Sequence, residues 1–141
     1  MAKETYIFTL PNQIAPMKIL VVDDERDVQA LFEQRFRREI KTGEMDFVFA
    51  FSGEEALEMM KAYEHEAVLI LSDINMPGMS GLELLRQIKI KYETPPPIVM
   101  MITAYGEGEN YREAMRLGAD DFLTKPVDFP SLKEKLKVRI A

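Results

Sequence analysis

The 141-residue chain has no cysteine. That excludes a disulfide framework and a thiolate metal site, and it suits a reducing compartment. Positive charge is also in short supply. Against 24 Asp and Glu there are 18 Lys and Arg, a formal net charge of −6. A nucleic-acid surface needs clustered Lys and Arg, so none is expected on this domain. No apolar run reaches the length of a membrane span. The N-terminus has Lys3 and Glu4 before a short mixed stretch, without the apolar core and small-residue cleavage site of a signal peptide. Internal repeats and low-complexity linkers are missing too. The expectation is a cytoplasmic protein with no membrane contact. What is present is 47% hydrophobic residues in a chain of one domain's length, enough for one continuous core.

Two periods alternate along the chain. Lys18 to Val22 is a short apolar run that stops at Asp23-Asp24. Val28, Leu31, Phe32, Phe36 and Ile40 then recur at helical spacing, and Gly43 lies where that helix would end. Phe47 to Phe51 is a second strand candidate. Ser52 and Glu55 have the spacing of a capping box for a helix whose inward face is Ala56, Leu57, Met60 and Tyr63. Ala67 to Leu71 is apolar on both faces, as a buried parallel strand should be. Asn75-Met76-Pro77-Gly78 is turn chemistry, and Ser80 can cap a helix carrying Leu82, Leu85 and Ile88. Pro95, Pro96 and Pro97 lead into a fourth strand, Ile98 to Ile102. A helix with Tyr111, Ala114, Met115 and Leu117 ends at Gly118. Asp121 to Leu123 is a brief fifth strand. Phe129, Leu132, Leu136 and Ile140 mark a fifth helix. Strands alternating with helices imply a parallel sheet with right-handed crossovers and helices on both faces, an α/β doubly wound fold. Five strands and five helices fill Lys18 to Ala141, leaving no room for a second domain.

In such sheets ligands bind beyond the carboxyl ends of the strands. The first strand ends at Asp23 and Asp24, the third at Asp73, the fourth at Thr103 and the fifth at Lys125. The second ends at Phe51-Ser52, without charge. Singly, each residue has a plainer role: Asp23 or Asp24 as a helix N-cap, Asp73 as a turn residue, Thr103 as a β-branched strand residue, Lys125 as a solvated lysine. Together they bring three carboxylates, a hydroxyl and an amine to one rim. Carboxylates so placed repel unless a cation joins them. Oxygen ligands without histidine or cysteine suit a hard ion such as Mg²⁺. A carboxylate left free can be the nucleophile that forms an aspartyl phosphate.

The runs DDE at 23–25, SDINMPGMSGLELL at 72–85, ITAYG at 102–106 and GADDFLTKP at 118–126 strongly resemble the receiver domains of response regulators in two-component signalling. The likeness covers Met17 to Ala141 and leaves residues 1–16 as an N-terminal extension. It implies a flavodoxin-like five-stranded sheet in the order 2-1-3-4-5 with five helices. It makes Asp73 the phosphoacceptor and Asp23, Asp24 and Asp73 the magnesium ligands, joined by the backbone carbonyl of Asn75. Thr103 would hydrogen-bond the phosphoryl group, and Lys125 would pair with the carboxylate or the phosphoryl. The Lys125–Pro126 peptide is expected to be cis. Thr103 and Phe122 would form the switch, with Phe122 in a place often held by tyrosine. Asn75 and Tyr105 would gate the attacking water, and Tyr105→Ala should then lose the phosphoryl group faster.

The resemblance further implies a partner histidine kinase or phosphotransfer protein as donor, and an effector protein or domain that reads the surface of the fourth helix, fifth strand and fifth helix. A homodimer through the fourth and fifth helices is compatible with it. The chain would be a switch that catalyses only its own phosphoryl transfer and autodephosphorylation, not a turnover enzyme. The lone histidine, His65, reads as a surface loop residue, so the donor acts in trans. Thr5 to Leu10 alternates like a strand and would add to an edge, pack on a neighbour or stay loosely ordered. Met76, Met79, Met100 and Met101 would line the approach to the site. Three rivals fit less well. An aspartyl phosphotransferase on small substrates needs a cap the chain has no residues for. A flavodoxin-like cofactor module needs a phosphate-cradling loop where Asp23-Asp24-Glu25 puts negative charge. A pseudo-receiver scaffold would not need the complete acidic set.

Overall fold

The computed structural model describes residues 17–140 except 65, 94–95 and 105–107, with only the backbone of residue 140. The extension at 1–16, His65, Pro95 and Tyr105 therefore lie outside the described residues, with the expectations attached to them.

The elements run β1 (Lys18–Val22), α1 (Asp27–Arg35), α2 (Arg37–Lys41), β2 (Asp46–Ala50), α3 (Gly53–Ala62), β3 (Val68–Asp73), α4 (Gly81–Lys91), β4 (Ile98–Thr103), α5 (Gly108–Arg116), β5 (Asp121–Thr124) and α6 (Phe129–Ile140). All strand pairs are parallel and the order is β2-β1-β3-β4-β5, as expected. Every residue of the central strand β3 is buried, which is why its sequence reads as an unbroken apolar run until Ser72 and Asp73.

Alternation along the strands divides the core in two. Leu20, Val22, Ile70, Val99 and Met101 face α3, α4 and α5. Ile19, Val21, Leu69, Leu71, Met100 and Ile102 face α1 and α6, with Phe32, Phe36, Leu132 and Leu136 packed on them. Both layers are covered, so the sheet is doubly wound.

Among the described residues six helices stand where five were expected. The first predicted helix bends at Phe36, whose backbone leaves helical values at φ −111° and ψ 24°. Hydrogen bonds still cross the bend, from Phe36 N–H to Phe32 O and from Ile40 N–H to Phe36 O. The bend shifts the phase of the last turn. Glu39 becomes buried, and Ile40, expected inside, lies at the surface. Arg26 occupies the α1 N-cap without a side-chain bond, so neither Asp23 nor Asp24 caps it. The later caps form as expected. Ser52 accepts from Glu55 N–H and Ser80 from Glu83 N–H. Glu55 reaches back to Phe51 N–H, one residue beyond the Ser52 N–H that a capping box would use. In α4 the inward face includes Leu84, and Leu82 is only half-buried. In α5 only Ala114 is fully buried, while Tyr111 and Met115 face outward. Met100 and Met101 are core residues on opposite faces of β4 and do not line the approach to the site.

Candidate active site

Four strands deliver the site at their carboxyl ends. β1 stops at Val22 and the next residue, Asp23, turns its carboxylate back to accept Glu25 N–H at 2.9 Å. Asp73 is the last residue of β3 and only 6% exposed. Thr103 ends β4, and Lys125 follows β5. The Lys125–Pro126 peptide is cis, as the resemblance implied.

Asp23, Asp24 and Asp73 offer carboxylate oxygens that lie within 4.8 Å of one another. Lys125 Nζ donates to Asp73 Oδ2 at 3.1 Å and stands 3.9 Å from Asp23 Oδ2. Burial pushes the Asp23 carboxyl above its ordinary value, the Glu25 N–H opposes this, and the Asp73 charge adds to the rise. Burial works against the Lys125 charge, but its bond to Asp73 and the nearby carboxylates outweigh that and hold the ammonium above its usual range. One lysine therefore faces three carboxylates. This all-oxygen cluster, short of positive charge, is what a hard divalent cation would complete, so the residues present fit Mg²⁺.

The Thr103 hydroxyl is buried and finds no hydrogen-bond partner among the described residues. Buried hydroxyls are nearly always satisfied, so this one lacks a partner that the described side chains around it do not supply. Phe122 lies on β5, half-buried, with its ring edge-on to Tyr111 at 5.1 Å. The register pairs Met101 with Phe122 and Thr103 with Thr124, so Thr103, Met101 and Phe122 share one sheet face. Asn75 is exposed, two residues beyond Asp73. A cleft of about 490 Å³ opens beside Asp73 and Lys125, between Val28 and Leu31 of α1 and Val127 after β5.

The loop from Asp73 to α4 is closely tied. Gly81 N–H donates to Ile74 O at 2.8 Å. A Cβ on Gly81 would overlap the Asp73 carbonyl oxygen, so α4 starts directly on the backbone of Asp73. Sequence reasoning missed this, although a glycine right after a capping serine was a signal. It also passed over the β2–α3 turn for its lack of charge. There Arg26 lies 4.3 Å over the Phe51 ring, and Glu54 accepts Met79 N–H.

Chemically, the rim can hold a cation, present a buried carboxylate nucleophile and meet new negative charge with an ammonium and a free hydroxyl. The model of the response regulator receiver domain family matches residues 19–137. A response regulator receiver domain protein from Clostridium thermocellum superposes with a TM-score of 0.76 at 29% identity, covering 88% of this chain and 94% of that one. A CheY-like receiver domain protein from Methanospirillum hungatei gives 0.72 at 31%, over 89% and 94%. The response regulator TrrA from Thermotoga maritima, in complex with Mg²⁺-BeF, gives 0.69 at 32%, over 86% and 97%. With strand order, strand-end chemistry and family match in agreement, this chain belongs to the response regulator receiver domains of two-component signalling.

Proposed function

We propose that this receiver is an active phosphoacceptor that takes its phosphoryl group on Asp73. The observation that supports it best is the meeting of Asp73, its Lys125 partner and the unpartnered Thr103 hydroxyl on one acidic rim. A phosphohistidine donor, a sensor histidine kinase or a phosphotransfer protein, presents its phosphoryl group in the cleft. An Asp73 carboxylate oxygen attacks phosphorus, the phosphorus–nitrogen bond breaks and its electron pair returns to the donor imidazole. Lys125 holds the other Asp73 oxygen and then faces the phosphoryl group. Thr103 turns its hydroxyl to the new oxygens. Mg²⁺, held by Asp23, Asp24, Asp73 and the Asn75 carbonyl, would neutralise charge on the phosphoryl and carboxylate oxygens. The Mg²⁺-BeF complex of the Thermotoga relative supports this choice of ion.

Movement of Thr103 opens space on its face of the sheet, and Phe122 packs toward it. The face built by α5, β5 and α6 changes, which biases a bistable element by a local charge event. An effector protein or domain reads that face, or a second copy meets it through α5 and α6; Tyr111 and Met115 already expose apolar surface there. The domain acts as a switch that catalyses only its own phosphorylation and dephosphorylation. This reading puts it in the cytoplasm, without nucleic-acid contact of its own. No helix among the described residues is long and apolar enough to cross a membrane.

The test is intact mass after incubation with acetyl phosphate, with and without Mg²⁺, beside Asp73→Asn. The expected result is a gain of one phosphoryl group that needs both Mg²⁺ and Asp73. A folded protein that gains nothing would instead be a pseudo-receiver, binding partners without phosphorylation.

A further inference from the structure

We propose that the β2–α3 turn, residues 51–54, positions both loops that carry the metal-binding oxygens, although it supplies no ligand itself. The role rests on the Mg²⁺ reading above. The β1–α1 loop carries Asp23 and Asp24 and ends at Arg26, where α1 begins. The Arg26 guanidinium lies 4.3 Å over the centroid of the Phe51 ring. That face-on contact attracts the cation and holds the loop's end against the turn.

The β3–α4 loop carries Asn75. Its far half is gripped from the same turn. Glu54 Oε2 accepts Met79 N–H at 3.1 Å, across 25 residues of sequence. The Met79 side chain lies on Gly53, where an added Cβ would stand 3.0 Å from its Cγ and Sδ. Gly78, just before, takes φ +73° beside the Glu54 carboxylate, a backbone shape that favours glycine. The turn is itself braced. Ser52 Oγ accepts Glu55 N–H at 3.0 Å, and Glu55 Oε1 accepts Phe51 N–H at 2.6 Å.

One braced turn thus holds one loop by a cation–π contact and the other by the hydrogen bond that Glu54 accepts from its backbone. Asp23 and Asp24 on the first loop and Asp73 at the head of the second bring carboxylate oxygens within 4.8 Å of one another, where they repel. Left loose, they would drift apart and have to be regathered when a cation binds. Held, they meet it preorganised.

The experiment is a calorimetric Mg²⁺ titration of the full chain, with NMR amide exchange measured in the absence of Mg²⁺. The variants are Phe51→Ala, Phe51→Tyr, Glu54→Ala and Glu54→Gln. None removes a ligand, and the Phe51 pair changes no charge. Both alanine variants are expected to bind Mg²⁺ roughly three- to tenfold more weakly. That is below the roughly 10- to 100-fold cost of losing a group bonded to a ligand directly. Phe51→Tyr and Glu54→Gln should recover most of the loss. Without Mg²⁺, the Met79 amide should exchange faster in Glu54→Ala than in Glu54→Gln or the parent. Folded alanine variants that bind Mg²⁺ like the parent would overturn the role. So would a Glu54→Gln variant as weak as Glu54→Ala, because the effect would then be one of charge. A parent chain that binds no Mg²⁺ would remove the functional reading itself, and this role with it.

Discussion

Thr103 has its hydroxyl sealed in at 1% exposure and, among the described residues, unpaired. An unmet buried hydroxyl costs free energy, so removing it should stabilise the bare protein. Thr103→Val keeps the shape and is expected to raise the urea unfolding free energy by about 1 kcal/mol. The same variant should accept phosphoryl on Asp73 yet fail to change amide exchange across α5, β5 and α6. A loss of stability would mean the hydroxyl is already satisfied. At this scale the sequence was legible where position alone decides. Asp73 and Lys125 are 52 residues apart and meet because both sit where parallel strands end. Arg26 over Phe51 was not legible, because no local pattern brings a helix start onto the next turn but one.

Between elements, the bend at Phe36 has the largest effect. Helical spacing runs unbroken through Phe32, Phe36 and Ile40, so nothing in the pattern announced it. The reason it is tolerated lies in tertiary packing: Phe36 is fully buried and rings with Phe32, Phe47 and Phe129 within 6.0 Å. The rotated last turn buries Glu39, which pairs with Lys133 of α6 at 3.1 Å and so ties α2 to α6. Burial opposes the Glu39 charge, but hydrogen bonds from its own backbone and from Lys133 outweigh it and hold the carboxyl below its ordinary value. Its contribution is therefore present above the usual glutamate range and lost as pH falls through the lowered value. Acid unfolding followed by circular dichroism should show a component below about pH 4 that Glu39→Gln lacks. Lys133→Ala strands a buried charge and is expected to cost about 3 kcal/mol in urea, while Glu39→Leu combined with Lys133→Met recovers most of it. A cost near zero for Lys133→Ala would mean the pair contributes little.

At the scale of the molecule, the sheet was readable because buried parallel strands are short apolar runs and the helices between them are amphipathic. Strand order was not readable from periodicity, and it came through the family resemblance. Which faces of α4 and α5 point inward was only half readable, because helical spacing leaves the exact stripe open and Tyr111 and Met115 fell outside it. Three carboxylates gather at one rim only in the folded state, so on the Mg²⁺ reading proposed above the ion should favour the folded chain over the unfolded one. Mg²⁺ at roughly 100 times its Kd should then add about 2.7 kcal/mol of stability. Differential scanning calorimetry should show Tm rising by several degrees with Mg²⁺ and not with sodium at equal ionic strength. Asp23→Asn should flatten that response, and an equal response in the variant would place the ion elsewhere.

The packing of Gly81 on the Asp73 carbonyl carries a consequence for inheritance. Every missense change at that codon adds at least one carbon where there is no room, and the atom it meets is backbone, which cannot swing aside. In a saturation library selected for signalling, position 81 should be empty of everything but synonymous codons, although its residue carries no chemistry at all. Asp73 and this glycine would then be bound together in descent, the aspartate for the role proposed for it and the glycine for the space it leaves.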